Sequence, residues 1–464
     1  MSISTEAERA WLIVSDSSSD DEDEPYNIPA RETFCQKYTS CRWITAYMCC
    51  SARLAQSTLR QCMGMAVIVM MMPLTGPEVT SSHSVTDNST LPELVLQTPE
   101  FKWSSEFEGL ILSSFSFGYV ASPIIGGYVA GKYGGKVVIT VSLIAGSIIT
   151  LATPVATRAL PMSLVILRAA SGIFMGTIEP SIQCILSKWA PKLEKASLSS
   201  CAYAGGYTLL CVFPWVLLVF DFPRDNPRIK ETEVKLITRS HRAAKKDWEM
   251  SWTLWWKILT SPAVWAICAA CISHTWVTSW VMAYLPQYMK QILKYDVEEN
   301  GILSSVPYAG RLLVGMVSGN ISDRMLSWRL LSTANIRKTF QVVGCFGCAA
   351  CMLLVGFIDD SNGTLALMLL IAGISLQNCT SVAFKINHLD IAPRFAGVIV
   401  GMTISCAMTV SLSAPLITSY VIKEGTRQEW QIIFYIVGAV NVVGAGVFVV
   451  FGKGTERDWA KEDT

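Results

Sequence analysis

Charge is scarce in this chain: only 16% of its 464 residues are Asp, Glu, Lys or Arg, whereas 51% are hydrophobic. The mean hydropathy of +0.40 is higher than an ordinary soluble domain shows. The formal net charge of +1 gives no bulk attraction to nucleic acid, so a nucleic-acid partner is excluded. The composition therefore predicts a membrane protein in contact with lipid.

Several functional signatures are also missing. The first forty residues are polar and acidic, so no signal-peptide pattern opens the chain. No serine–histidine–acid set or nucleotide-binding loop is visible, so we expect no enzyme. Cys345, Cys348 and Cys351 have the spacing of metal ligands, but they lie along one side of an apolar helix without partner ligands. We therefore expect neither a metal site nor a bound cofactor.

Long apolar segments make up most of the chain. An α-helix crosses a bilayer with about twenty apolar residues. Eleven segments qualify, at about 44–72, 107–130, 136–156, 161–187, 198–221, 262–292, 299–322, 339–358, 364–386, 394–422 and 431–452. The expected fold class is an all-α polytopic membrane protein.

Basic residues between the segments predict the orientation, because cytosolic loops are rich in Lys and Arg. Lys132 and Lys136 follow the second segment, and residues 188–195 and 222–261 are also basic. We therefore expect cytosolic termini. Asn88, in an Asn-Ser-Thr sequon, then lies outside the cell or in a lumen, and we predict that it is glycosylated.

One part of this topology is inconsistent. Residues 188–195 and 222–261 both require the cytosol, but a single apolar stretch separates them. That stretch is a re-entrant hairpin, or one loop lies on the other side, or part of the protein is missing. Because backbone in hydrocarbon must be hydrogen-bonded internally, we expect one continuous helix at about 198–221, with any kink at Pro214.

The N-terminal tail, residues 1–40, is expected to be disordered, because its acidic run Ser17–Glu24 favours solvation. Glu8, Leu12 and Ile13 fit the acidic dileucine pattern by which sorting adaptors bind cytosolic tails. The pattern suggests a lysosomal or vesicular membrane, and the plasma membrane is the alternative.

Two charged residues inside the fourth segment point to a function. Arg168 lies near its start and Glu179 deeper, on nearly the same helix face and about 16 Å apart along the axis. Charge in hydrocarbon is costly and normally faces a bundle interior or a wet cavity. Alternatively, Arg168 snorkels to the headgroups. The stretch predicts that the protein binds or moves something negatively charged within the membrane.

Three motifs resemble a known family: NHLDIAPRFAG at Asn387–Gly397, SKWAPKLEKA at Ser187–Ala196 and FGYVASPIIGGYVAGK at Phe117–Lys132. They are similar to signature sequences of solute carrier family 17, the anion-transporter branch of the major facilitator superfamily. The resemblance covers about residues 40–460. It implies twelve helices in two six-helix bundles, with helices one, four, seven and ten lining a central cavity.

The resemblance implies a domain organisation in which the fifth and sixth helices are fused, because about thirty-five residues of the family pattern are absent between them. A weak internal repeat, Gly126–Lys136 against Gly319–Arg324, supports two related halves. The predicted parts are an N-terminal bundle 41–221 with a luminal loop 73–106, a central cytosolic loop 222–261, a C-terminal bundle 262–452 and a cytosolic tail 453–464.

The resemblance also implies the site residues. Arg60 and Arg168 match the family's first-helix and fourth-helix arginines. His274 falls near the position at which the family's glutamate carriers have a third arginine. A guanidinium binds carboxylate or phosphate bidentately, so these three are expected to bind substrate. For each residue the alternative is structural ion pairing. The candidates for coupling or gating are Glu179, Asp323, Arg324, His388 and Asp390.

Members of this family carry anions such as sialic acid, glutamate and phosphate. The resemblance therefore implies a secondary active transporter of small organic or inorganic anions that works by alternating access, coupled to sodium, protons or the membrane potential. Met175 stands where proton-coupled members have a glutamate, which leaves the coupling ion open. The alternative is a non-transporting or defective truncated form, which the absent stretch favours.

Overall fold

The computed structural model describes residues 37–71, 105–191, 194–202, 219–230, 232–234, 237, 250–294, 303, 306–358 and 362–461, without the side chains of residues 54, 58–71, 105, 106, 108, 109, 112, 224 and 286. The helices with described ends are α1 (Cys41–Met71), α2 (Ser105–Tyr133), α3 (Gly135–Ala159), α4 (Met162–Gly176), α5 (Ile178–Trp189), α6 (Lys195–Ala202), α7 (Trp252–Leu259), α8 (Pro262–Gln291), α9 (Val306–Ser327), α10 (Thr333–Phe357), α11 (Gly363–Gln377), α12 (Thr380–Ile391), α13 (Ala396–Ser411), α14 (Ser413–Val421), α15 (Arg427–Phe451) and α16 (Asp458–Lys461).

Seven helical segments of the described chain are long and apolar enough to cross a membrane. They are Gly135–Ala159, Met162–Trp189, Pro262–Gln291, Thr333–Phe357, Gly363–Ile391, Pro393–Val421 and Arg427–Phe451. Three further predicted spans coincide with α1, α2 and α9, and no β-strand occurs among the described residues. The expectation of an all-α, multi-pass membrane protein is confirmed.

Three of these spans are each built from two helices. The span Met162–Trp189 combines α4 and α5, Gly363–Ile391 combines α11 and α12, and Pro393–Val421 contains α13 and α14. The first break lies at Thr177, just before Pro180, which has no backbone N–H to continue the hydrogen-bond ladder. Side chains on the two parts of such a span do not share one regular face.

Helices from the two parts of the sequence pack closely against each other. In the α2–α13 contact, a Cβ atom at Gly127 would meet the backbone carbonyl of Gly397, and one at Gly401 would meet that of Pro123. Because backbone atoms cannot rotate away, glycine is required for this approach. Helix α6 packs in the same way across to α9, where Gly319 faces α6.

One end of the bundle, here called the basic end, gathers the segments that are rich in Lys and Arg. The ring nitrogen of Trp189 donates to the carbonyl of Phe220 at 2.9 Å. The ammonium of Lys188 lies 4.1 Å from the ring centroid of Phe222. Asp221 accepts a 2.9 Å hydrogen bond from the backbone N–H of Lys136 at the start of α3. Residues 219–222 therefore lie beside the end of α5.

Arg42, at the start of α1, forms ion pairs with both basic loops. Its guanidinium contacts Glu194 at 2.7 Å and Glu233 at 3.4 Å. The Glu233 carboxylate also accepts hydrogen bonds from the backbone N–H groups of Cys41 and Arg42, at 3.3 and 2.9 Å. A carboxylate in this position accepts hydrogen bonds from backbone N–H groups that have no partner within the helix, and it complements the positive end of the helix dipole.

The prediction of one continuous helix over about 198–221 is therefore wrong. A helix of that length would separate its ends by about 36 Å. Instead, residues 220–222 touch Lys188 and Trp189, a few residues before α6 begins, and Val219 is not helical. These contacts place both basic loops at the same end of the bundle. The predicted kink at Pro214 falls outside the described residues.

Candidate functional site

A cavity of about 340 Å³ lies between α2 and the helices of the second half. Its wall combines aromatic and aliphatic surface with a few hydroxyl groups. The lining residues are Phe115, Ser116, Tyr119, Ser279, Met282, Ala283, Tyr308, Met408, Ser411, Leu412 and Pro415. These positions lie on the portions of α2, α8, α9, α13 and α14 away from the basic end. An apolar wall with a few polar groups is typical of small-molecule sites.

A hydrogen-bond chain leads from this cavity to an ion pair. The amide nitrogen of Gln56 donates to the hydroxyl of Tyr119 at 3.3 Å and to the carbonyl of Met175 at 2.6 Å. The amide oxygen of Gln56 accepts a 2.6 Å bond from Arg53. Arg53 in turn pairs with Glu179 at 3.3 Å. Helices α1, α2 and α5 are thereby joined around one carboxylate.

On the other side of the cavity, Arg311 is held by α8. Its Nη2 lies 3.1 Å from Nε2 of His274 and donates to the hydroxyl of Thr278 at 3.1 Å. Arginine only donates, so Nε2 of His274 is the acceptor. The His274 proton is then on Nδ1, 2.9 Å from the hydroxyl of Thr380. This arrangement requires a neutral imidazole.

Lys385 of α12 interacts with both of these groups. It is within electrostatic reach of Glu179, Arg53 and Arg311. Its backbone carbonyl accepts a 3.0 Å bond from Gln183 of α5, which links the two parts of the chain. We call Arg53, Glu179, Arg311 and Lys385 the central charge cluster.

The central charge cluster is rich in positive charge. Glu179 is the only acidic residue of the whole sequence that lies inside a predicted span and more than two residues from its end. Arg53, Arg311 and Lys385 each keep part of their surface accessible, and the Arg53 side chain is 29% exposed. Charge in a membrane interior is costly, and three cations beside one acid favour a bound anion.

The structure separates the predicted substrate residues. Arg168 is buried and its Nε donates to the carbonyl of Ile111 at 3.0 Å, between α4 and α2. It lines a small pocket with Phe115, a residue that also lines the 340 Å³ cavity. Arg60 is part of α1, but its side chain lies outside the described residues. His274 contacts the central charge cluster through Arg311.

The predicted gating residues lie toward the basic end, except for Glu179. Asp323 accepts hydrogen bonds from the backbone N–H groups of Ala196 and Ser197 at 3.1 and 2.8 Å, at the start of α6. Its sequence neighbour Arg324 is exposed.

Two further gating candidates belong to α12. Asp390 pairs with Arg337 at 2.8 Å and with Lys195 at 3.6 Å. His388 is buried, with Nε2 3.1 Å from the hydroxyl of Thr403 on α13. Asp390 thus connects the first half to the second through α6, whereas His388 connects helices of the same half.

Sequence reasoning missed Arg53, Arg311 and Lys385. Each is a lone cation inside or beside an apolar segment, the same signal that drew attention to Arg168. A full list of such cations, set against the near absence of internal acids, would have found all three.

Comparison with known proteins gives a consistent result. The model of the Major Facilitator Superfamily matches residues 61–216 and 201–415. Sialin from Homo sapiens is 34% identical over 393 residues, covering 78% of this chain and 79% of the relative. The probable small intestine urate exporter of Mus musculus is 30% identical over 407 residues, covering 81% and 82%. Vesicular glutamate transporter 1 of Xenopus tropicalis is 27% identical over 415 residues, covering 82% and 72%.

Solved structures agree on the fold. A proton:xylose symporter aligns with a TM-score of 0.61 and 14% identity over 90% of this chain and 96% of that chain. A bacterial homologue of ferroportin, in an outward-facing state, aligns with a TM-score of 0.56 and 12% identity over 89% and 99%.

The sequence alignments also show a difference in length. The alignment with human sialin is 393 positions long. It includes 78% of the 464 residues of this chain, which is about 362 residues. About 31 aligned positions therefore have no counterpart in this chain. For the Xenopus tropicalis glutamate transporter the same comparison, 415 positions against 82% of 464, leaves about 35. The chain is shorter than its relatives by roughly this amount within the aligned region.

Proposed function

We propose that this chain, which belongs to the major facilitator superfamily and within it to solute carrier family 17, is a secondary transporter of small anions that works by alternating access. Its family consists of membrane transporters, so the expectation that it is not an enzyme is confirmed. The relatives include carriers of urate, glutamate and phosphate, all of them anions.

The observation that carries the proposal is the charge of the central cluster. Arg53, Arg311 and Lys385 come from three different helices; Arg53 pairs with Glu179, and Lys385 is within electrostatic reach of Glu179, Arg53 and Arg311. An anion that enters through the 340 Å³ cavity would compensate this charge. Guanidinium groups bind carboxylate or phosphate through paired hydrogen bonds, which favours such substrates over halide.

Alternating access is supported by the closed basic end. The bond from Gln183 to the Lys385 carbonyl, the Lys195–Asp390 pair and the two bonds to Asp323 all connect the halves there. The cavity lies on the opposite side of these contacts. For the anion to leave toward the basic end, these contacts must break while the α2–α13 and α6–α9 packing rearranges.

The test is uptake of urate, glutamate and phosphate into proteoliposomes with the purified full chain, with pH and sodium varied separately. Arg311→Gln and Arg53→Gln are expected to reduce uptake at least about tenfold, because each loses a charge-assisted contact worth about 1.5–3 kcal/mol. Arg60→Lys and Arg168→Lys should also lower uptake strongly, since lysine lacks the planar fork. The exposed residue Lys290 provides the control Lys290→Gln.

Two outcomes would contradict the proposal. Uptake of these anions by none of the preparations would exclude transport by this form of the chain. Uptake that is unchanged in both Arg311→Gln and Arg53→Gln would show that the central charge cluster is not the anion site. Dependence on pH, on sodium or on the imposed potential identifies the coupling, which Met175 and Glu179 leave open.

A second candidate is a non-transporting or defective form of such a carrier. The difference of about 31 positions from human sialin favours it, because lost helix segments would leave one half-bundle incomplete. Under this alternative the chain binds anions at the central charge cluster but does not move them. Binding without uptake is therefore the result that distinguishes the two candidates.

The proposed location is a plasma, lysosomal or vesicular membrane, with both termini in the cytosol at the basic end. The clustering of the basic segments at one end supports this orientation. The predicted adaptor contacts Glu8, Leu12 and Ile13, and the sequon residue Asn88, lie outside the described residues.

A further inference from the structure

The wall of the 340 Å³ cavity is apolar and aromatic. Among the described residues that line it, none is charged; three are serines, and the others are aromatic residues, aliphatic residues and methionines. The hydroxyl of Ser411 donates to the carbonyl of Met408 in its own helix at 2.9 Å, and the hydroxyl of Tyr119 accepts from Gln56 at 3.3 Å. A ligand with many polar groups would lose hydrogen bonds to water against this wall without replacing them.

Aromatic side chains reach the cavity from both halves of the chain. Phe115 and Tyr119 lie one turn apart on α2, with ring centroids 5.7 Å apart and ring planes at 29°. Both are buried, so packing holds this pair in place. From the second half, Tyr308 of α9 and Met282 of α8 line the same cavity and are 38% and 44% exposed. Rings pack favourably on rings, and methionine adapts to them.

A cation adjoins this wall. Arg311 lies three residues after Tyr308 on α9, so the two side chains are neighbours on one helix face. The Nη2 of Arg311 donates at 3.1 Å to the hydroxyl of Thr278, whose sequence neighbour Ser279 lines the cavity. Two independent links therefore place the guanidinium at the edge of the cavity, where it can bind a carboxylate.

From this lining we infer that the substrate is an organic carboxylate with an apolar aromatic body. The carboxylate binds Arg311, and the ring packs between Phe115 and Tyr119 of one half and Tyr308 of the other. The inference rests on the proposed anion site and names its substrate class. The aromatic wall then selects such ligands over inorganic anions and over strongly hydrated organic ones.

The test compares three ligands that each carry one net negative charge at neutral pH. Phenylacetate has an aromatic ring, L-glutamate has as many non-hydrogen atoms but a polar body, and acetate is the carboxylate without a body. Binding is measured by calorimetry on the purified full chain in lipid nanodiscs, with empty nanodiscs to correct for partition into lipid. Phenylacetate is expected to bind at least about tenfold more tightly than either of the others.

Variants of the wall then test the contribution of the rings. Phe115→Leu and Tyr308→Leu keep an apolar side chain but remove a ring, so each should weaken phenylacetate binding about two- to tenfold and leave acetate nearly unchanged. The matched control is Phe117→Leu on the same helix, whose side chain is 64% exposed. If Phe115→Leu does not fold, the partly exposed Tyr308 still provides the test through Tyr308→Leu.

The outcomes separate this inference from the proposed function. Glutamate or acetate binding as tight as that of phenylacetate overturns the inference, as does unchanged phenylacetate binding in the folded ring variants. Uptake of glutamate or phosphate by a chain that does not bind phenylacetate overturns the inference and leaves anion transport standing. Selective phenylacetate binding without uptake of any anion supports the inference and counts against transport. Absence of binding by all three ligands overturns both.

Discussion

Glu179 pairs with Arg53 of α1, although spacing along the fourth segment placed it on the same face as Arg168. The reason is the helix break at Thr177 between α4 and α5. Counting 100° per residue holds only within one continuous helix. Arg168 instead donates to the carbonyl of Ile111, so the two charges of one segment act on different helices.

At this scale we expect Asp323 to stabilise the closed basic end. Asp323→Ala removes the acceptor of two backbone N–H groups at the start of α6 and should lower the free energy of unfolding by about 0.5–2 kcal/mol. The measurement is the melting temperature of the purified protein by scanning fluorimetry.

The control for this variant is Asp458→Ala, whose side chain is 90% exposed and pairs with exposed Lys461 at 3.6 Å. It should leave the melting temperature unchanged, because exposed ion pairs contribute little. Equal melting temperatures for Asp323→Ala and wild type would show that the backbone donors of α6 find other acceptors.

Among the elements, the α2–α13 contact depends on glycine more than on side-chain packing. The backbones of the two helices are in direct contact at Gly127, Gly397 and Gly401. Lipid tails are apolar, so the hydrophobic effect does not drive helices together within a membrane. Van der Waals contact at such a close approach stabilises the helix pair instead.

Gly401→Ala is therefore expected to destabilise the protein by about 1–3 kcal/mol, because its Cβ would meet the carbonyl of Pro123. Gly446→Ala is the matched control, since nothing lies within 4 Å of a Cβ there. The control should be neutral or stabilising by up to about 1 kcal/mol. Thermal unfolding in detergent measures both, and a control as unstable as Gly401→Ala would contradict the packing argument.

For the whole molecule, the central question is the difference in length from the relatives. About 31 positions of human sialin have no counterpart in this chain, and the contacts of residues 219–222 return the chain to the basic end. The alternative of a defective truncated form gains no support from the single helix expected at 198–221, because the contacts of residues 219–222 contradict that helix. It now depends on the missing length alone.

We expect a form with the missing segment restored to reach the membrane in larger amounts and to take up anions faster than the 464-residue form. Two complete half-bundles can close around the cavity, whereas an incomplete one exposes backbone or polar groups to lipid. Uptake is compared at matched protein levels in the membrane. Equal rates from the two forms would show that the shorter chain is a complete transporter.

Orientation gives a second prediction for the whole molecule. From the positive-inside rule we expect Asn88 to lie opposite the basic segments and to carry a glycan in mammalian cells. Glycosidase treatment should shift the band of the wild type, and Asn88→Gln should remove that shift. A wild-type band that does not shift would mean that the sequon is unused or that the loop faces the cytosol.

The sequence by itself determined the class of molecule and the position of its spans. Apolar length alone requires helices in a bilayer, so the predicted segments other than 198–221 overlap the described helices. The sequence also indicated a negatively charged ligand through Arg168 and Glu179 inside one apolar segment. Both properties follow from the solvent, because hydrocarbon imposes the same cost on every polar group wherever the helices are placed.

Only the tertiary structure decided which charges act together. Arg53, Glu179, Arg311 and Lys385 come from four segments spread over more than three hundred residues, and no spacing along the chain predicts that they meet. The same holds for residues 219–222, which Trp189 and Lys188 bring back to the basic end. Partners across helices depend on how breaks such as Thr177 redirect a span and on where glycine permits close packing, and both are properties of the assembled bundle.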